Sequence, residues 1–124
     1  YYVSFADRVR QVREDLRRLI FDLKRQGYRI AAYGASAKGS TLLSYTDLGP
    51  DVIEIVVDRN VHKQGKYMPG LHHPIYAPEA IAERRPDYLL LLVWNIADEV
   101  LRQQQAYRDA GGKFIIPIPS PRIV

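Results

Sequence analysis

The chain has 124 residues, the length of one domain, and its 47% hydrophobic and 26% charged residues are ordinary globular proportions that exclude a disordered tail or a low-complexity linker. It has no cysteine, which excludes disulfides, thiolate nucleophiles, thiolate zinc sites and iron–sulfur clusters, while its formal net charge of +4 suits an anionic ligand such as a nucleotide or phosphate. No window approaches the roughly 18 to 20 apolar residues of a membrane span, and the N-terminus lacks the apolar run of a signal peptide, so a soluble, cytoplasmic protein without a membrane partner is expected.

The opening Tyr1-Tyr2-Val3, without an initiator methionine, reads as the start of a piece excised from something longer. From Ser4 to Gln26, Phe5, Val9, Val12, Leu16, Leu19, Ile20 and Leu23 recur at spacings of three and four. That pattern predicts a long N-terminal helix with Arg8, Arg17, Asp22, Lys24 and Arg25 on its solvated side, ended by Gly27. The arginines invite a nucleic-acid reading, but Asp7, Glu14, Asp15 and Asp22 are interleaved with them, and a mixed-sign face supports helix pairs better than it tracks phosphates.

Arg29 to Tyr33 is a short, mostly apolar run that predicts a buried strand feeding a turn at Gly34, with a helix over 37–45 and a second strand over 52–57 closed by Asp58. Strand, helix and strand make a βαβ unit. The residues from Arg59 to Pro74, rich in Lys, Gly, His and Pro, predict a long loop. A short helix follows over 78–85, then the very apolar strand of 88–93, a helix over 97–110 stopped by Gly111-Gly112, and a last strand over 113–116 ended by Pro117. This alternation implies an α/β fold of three layers, a mostly parallel sheet with helices on both faces. Ligands of such sheets bind beyond the carboxyl ends of the strands, where Gly34 to Gly39, Asp58 to Asn60 and Trp94-Asn95 would converge.

The stretch Gly34-Ala35-Ser36-Ala37-Lys38-Gly39 stands where a dinucleotide fingerprint stands, with the outer two glycines in place and Ser36 instead of the middle one. The serine argues against ordinary NAD or FAD binding, since the middle glycine lets pyrophosphate lie on the backbone. An anion site remains, built from the N–H groups of the helix start, the Ser36, Ser40 and Thr41 hydroxyls and the Lys38 ammonium. The bland reading is a tight turn with Lys38 in solvent. The lysine stands one place too early for an NTP-hydrolysing phosphate loop.

Asp58 ends its strand where an acid reaches a ribose hydroxyl, and it equally suits a cap on the following turn. The loop after it carries Asn60, Lys63, Gln64 and Gly70, a set able to fold over an anion or to stand solvated. Trp94-Asn95 offers a flat face and an amide to a nucleobase or sugar, and Asn95 also suits a helix cap. His62, His72 and His73 lack a ligand spacing, so no metal is expected, and no nucleophile elbow, paired-carboxylate signature or complete active site is present.

Taken together, Tyr33-Gly34-Ala35-Ser36-Ala37-Lys38-Gly39-Ser40-Thr41-Leu42-Leu43, Val57-Asp58-Arg59-Asn60 with Lys63-Gln64-Gly65, Tyr67-Met68-Pro69-Gly70, Pro86-Asp87-Tyr88, Trp94-Asn95 and Gly111 through Pro119 closely resemble the C-terminal domain of S-adenosylmethionine-dependent sugar C-methyltransferases, in order and nearly end to end. The resemblance implies a Rossmann-like domain over residues 1–124 that follows a cysteine-rich zinc segment and a central methyltransferase domain, both outside this chain. It implies a nucleotide-linked sugar, dTDP-linked or similar, as the partner of Gly34 through Ser40 and of the loop from Asp58 to Gly70. Zinc, S-adenosylmethionine and the general base are then expected in the missing domains, with no cofactor in this fragment. The implied reaction removes a proton beside a keto group of the sugar and methylates the resulting enolate, a reaction the fragment would not perform alone.

Three other readings compete with this one. A stand-alone regulatory module for NAD-like or CoA-like ligands follows from the βαβ unit taken by itself. A nucleic-acid binder would show salt-steep binding to any polyanion. A purely structural domain would show no ligand response.

Overall fold

The computed structural model describes residues 4–124; Tyr1 to Val3, on which the reading of an excised piece rests, lie outside the described residues. The elements follow as α1 (Phe5–Arg25), β1 (Ile30–Tyr33), α2 (Ala37–Thr46), β2 (Val56–Val57), β3 (Ile75–Tyr76), α3 (Glu79–Arg84), β4 (Tyr88–Leu91), a one-turn 3-10 helix (Trp94–Ile96), α4 (Ala97–Gln103), α5 (Gln105–Asp109), β5 (Lys113–Ile116) and β6 (Arg122–Ile123). They form one six-stranded sheet in the order β3-β2-β1-β4-β5-β6. All pairs are parallel except β5 with β6. The expected α/β class, mostly parallel sheet and long N-terminal helix are therefore present.

Side chains alternate across the strands and fill two cores. On one face Ile30, Ala32, Val56, Leu90 and Ile115 pack under Leu16, Ile20 and Leu23 of α1 and Leu42 and Leu43 of α2. On the other, Ala31, Tyr33, Val57, Leu89, Leu91 and Phe114 pack under Ala80 and Ile81 of α3 and Val100 of α4. Strands buried on both faces have no polar alternation, which is why 88–92 reads as a continuous apolar run.

The differences from the sequence reading have local causes. The second strand begins only at Val56, because Val52 and Ile53 turn their N–H groups to Gly49 O. The helix expected over 97–110 breaks at Gln104, whose φ of −104° and ψ of 31° leave the helical region. The two-residue edge strands β3 and β6 follow Pro74 and Pro121, and proline punctuation hides such short strands from a pattern reading.

Arg17, expected in solvent, turns inward and donates to Thr46 O at 2.5 Å, while Arg13 donates to Tyr45 O at 2.9 Å. Two guanidinium groups thus meet the negative end of α2. Arg10, Arg18 and Arg25 pair with Asp7, Asp15 and Asp22 one turn away on α1. The helix's basic residues are largely committed to the protein's own structure.

His73 is fully buried at the end of the long loop, with Nε2 2.8 Å from Leu48 O and Nδ1 without a partner among the described residues. Burial holds its pKa below the ordinary 6.5, and the Leu48 and Gly49 carbonyls and Asp51 only partly oppose this. As pH falls below 6.5, the unfolded histidine binds a proton that the folded one refuses, so stability declines from there down to the depressed native pKa and is flat above. The expected slope from this group is at most about 1.4 kcal/mol per pH unit. Urea unfolding at pH 7.5 and 5.5 measures it, and His73→Gln, which keeps an N–H for Leu48 and does not titrate, should remove that part.

Candidate functional site

Between β1 and β4 the chain order of the strands reverses, and the βα turn at that point is the Gly34–Gly39 loop. Gly34 has φ +101° and donates to Val57 O at 2.8 Å, and a Cβ on it would stand 2.7 Å from Val93 Cγ1. Gly39 is buried where α2 crosses the end of β4, and a Cβ there would stand 2.7 Å from Leu92 Cβ. The two glycines therefore serve the turn and the close approach of helix to strand.

Ser36 caps α2: its hydroxyl accepts from Gly39 N at 3.0 Å, so the serine that replaces the fingerprint's middle glycine starts the helix. Ser40 donates to Pro69 O at 3.1 Å and Thr41 to Ala37 O at 3.1 Å. The three hydroxyls offered to a phosphate by the sequence are thus all engaged within the protein.

Asp58 joins the two loops. One carboxylate oxygen accepts from Ala35 N and the other from Asn60 N, each at 2.7 Å. The turn-capping reading of Asp58 is realised, and the acid still has lone pairs to offer a hydroxyl. Around it, Asn60 accepts from His62 N at 2.9 Å, Lys63 Nζ donates to Ala35 O at 2.7 Å, and Gln64 Nε2 donates to Asp58 O at 2.8 Å. Gly70 lies exposed at the far end of the same loop, beside the Pro69 carbonyl that Ser40 holds. A loop that looks charged and irregular in sequence is tied back to the glycine turn at both ends.

Within the glycine turn itself, little remains unengaged. Among the described residues, the N–H groups of Ala37 and Lys38 in the first turn of α2 have no protein acceptor, and the exposed Lys38 ammonium has no acidic partner. Two free N–H groups at a helix N-terminus and an exposed cation beside them are the kind of groups an anion accepts from. Trp94 and Asn95 open the adjacent 3-10 turn, since Val93 abuts Gly34 and Leu92 N bonds Tyr33 O. Trp94 is half-buried against both cores, while Asn95 is exposed.

The chain matches the family described as the C-methyltransferase C-terminal domain, over residues 1–119. It belongs to that family. It is 44% identical, over 123 residues and 99% of its length, to the C-methyltransferase NovU of Streptomyces niveus, and spans 29% of that relative. Within this C-methyltransferase C-terminal domain no described helix is long and apolar enough to cross a membrane. No cluster of three or more potential metal ligands occurs among the described residues either: His62 and His72 are exposed, and His73 is buried against Leu48.

Proposed function

We propose that this domain holds the diphosphate of a nucleotide-linked sugar, dTDP-linked or similar, and presents the sugar to a methyltransferase domain of the same polypeptide. The single observation that carries the reading is the first turn of α2. Its two unengaged N–H groups and the Lys38 ammonium lie at the chain reversal between β1 and β4, on a loop clamped by Asp58 and Lys63. The strand order supports a Rossmann-like assignment, because open parallel sheets of that order take nucleotides at this position.

The free groups at α2 are donors and a cation. They favour phosphate over the sulfonium of S-adenosylmethionine; the assignment of the methyl donor, zinc and the general base to a neighbouring domain rests on the family resemblance. The contribution of this chain is affinity and orientation: a diphosphate fixed by α2 restricts where the sugar carbon lies relative to the reacting groups. Ala35, Ser36, Gly34, Gly39, Ser40, Asp58, Asn60, Lys63, Gln64 and Gly70 act by shaping and stiffening the cradle. Lys38 and the amides of Ala37 and Lys38 make the contact.

Amide chemical shifts of the labelled chain, titrated in parallel with dTDP, UDP, NAD and S-adenosylmethionine at physiological salt, test the reading. Shifts at Gly34 through Thr41 with dTDP or UDP and none with the methyl donor are expected. A response to NAD alone would turn the assignment to a regulatory dinucleotide module, and silence at α2 would remove it. Lys38→Ala should weaken dTDP or UDP binding by about 1–3 kcal/mol, the worth of a charge-assisted bond. Because Lys38 is exposed, the melting temperature should stay where it is.

A further inference from the structure

On the opposite face of the sheet from α2, a cleft of about 530 Å³ opens between the carboxyl ends of β2 and β3 and helix α4, lined by residues that include Arg59, Gln64, Glu79, Gln103 and Gln104. Its lining includes Glu79, the first residue of α3, and Gln104, where the helix that follows β4 breaks. Behind it stands Tyr33, the last residue of β1, 4% exposed, whose hydroxyl is buried without a hydrogen-bond partner. The Gln104 side chain faces that hydroxyl without closing a bond, and Arg59, Asp58 and Glu99 lie near enough to act on it electrostatically. An orphaned buried hydroxyl is costly enough that most are satisfied in some state of the protein.

The lining has a definite chemistry. Arg59 and Glu79 oppose each other in charge, so the cleft favours neither a second phosphate nor a cation. Its other polar groups are carboxamides, which present a donor and an acceptor in one plane, as the edge of a heterocyclic base does. Gln64 Nε2 is taken by Asp58 O and Gln103 Nε2 by Glu99, which leaves their carbonyl oxygens, whereas Gln104 has no side-chain partner among the described residues. The cleft also shares a wall with the α2 cradle, through Gln64 to Asp58 and Asp58 to Ala35.

We propose that this cleft receives the nucleobase of the ligand whose diphosphate sits at α2, with Gln104 contacting the base edge and closing a bond to the unpartnered Tyr33 hydroxyl behind it when the base is bound. The inference rests on the nucleotide-binding reading above and assigns its head group to a different face from Trp94. The guanidinium of Arg59, at the cleft mouth, supplies a planar cation against which a base stacks.

The test separates the two halves of the ligand on the labelled 124-residue chain, using inorganic pyrophosphate, thymidine, uridine and the matching diphosphates. Pyrophosphate should move Lys38 and Gly39 alone, a nucleoside should move Arg59 and the Gln104 side-chain amide alone, and a nucleoside diphosphate should move both sets. Gln104→Leu should abolish the nucleoside response and weaken the diphosphate about tenfold while leaving pyrophosphate binding unchanged, as expected for one lost polar contact. Tyr33→Phe, which keeps the ring in its core, should weaken the same ligands by a smaller factor and spare pyrophosphate. A nucleoside diphosphate that moves only Lys38 and Gly39, or that binds Gln104→Leu as tightly as the parent, overturns the base cleft and leaves the α2 site standing. Silence of α2 toward every phosphate, with Gln104 still responding, overturns the α2 site and the linkage between the two. Silence everywhere overturns both.

Discussion

Asp58→Ala is expected to destabilise the folded chain by about 2–4 kcal/mol and to abolish measurable nucleotide binding, because one carboxylate holds two loops. Its oxygens each accept a backbone N–H at 2.7 Å, one from Ala35 in the glycine turn and one from Asn60 in the loop beyond β2. Removing it leaves the buried Ala35 amide without an acceptor, the costlier part of the change, since hydrogen bonds to a charged acceptor are stronger than neutral ones and a stranded buried donor keeps its full desolvation penalty. Asp58→Asn should fall between, as its carbonyl serves one donor and its NH2 group meets the other head-on. Urea unfolding separates this from a purely ligand-facing role: an aspartate that only bound ribose would lose affinity with no change in midpoint. The outcome also bears on Lys63 and Gln64, whose bonds to Ala35 O and Asp58 O depend on the same junction.

How much of this was legible beforehand divides by the range of the interaction. The stripe of α1 from Leu16 to Leu23, the apolar run at Tyr88 and the βαβ unit around Gly34 are local patterns, and each became the element that its period predicts. The short strands at Ile75 and Arg122 owe their existence to neighbours: Val56 and Asp58 donate to Pro74 O and Tyr76 O, and Phe114 exchanges bonds with Val124. No two-residue segment carries such information itself. Arg17 is the same lesson for a side chain, since its acceptor at Thr46 is 29 residues away.

For the site, sequence singled out these loops and left open how their side chains are used. Ser36, Ser40 and Thr41 look like phosphate ligands because hydroxyls at a helix start commonly are. Their acceptors and donors within the fold, Gly39 N, Pro69 O and Ala37 O, become visible only once the loop is closed. Tyr33 offered one usable signal: a hydroxyl-bearing residue ends an otherwise aliphatic buried strand, where the group must find a partner or stand unpaired. Gln104 offered none, because its place at the cleft comes from the break between α4 and α5.

Gly39→Val is the substitution expected to disturb the fold and the cradle together. A Cβ at this position stands 2.7 Å from Leu92 Cβ and 3.1 Å from both Leu92 Cδ1 and Ser36 Oγ. The nearest of these atoms is fixed to the backbone of the strand end, so no rotamer change relieves the clash and α2 has to move away from the sheet. Overpacking of that kind costs about 1–3 kcal/mol, and the branched side chain adds volume in a buried position. Gly39→Ala should cost less, because about 1 kcal/mol of improved helix propensity offsets part of the clash. The displacement carries Ala37 and Lys38 with it and breaks the Ser36 cap on Gly39 N, so affinity for dTDP or UDP should fall alongside the melting temperature. Lys38→Ala provides the contrast, losing affinity at constant stability. If Gly39→Val binds as tightly as the parent, the first turn of α2 is not what holds the ligand. If it melts at the parent temperature, the close approach of α2 to Leu92 is not a constraint on the fold.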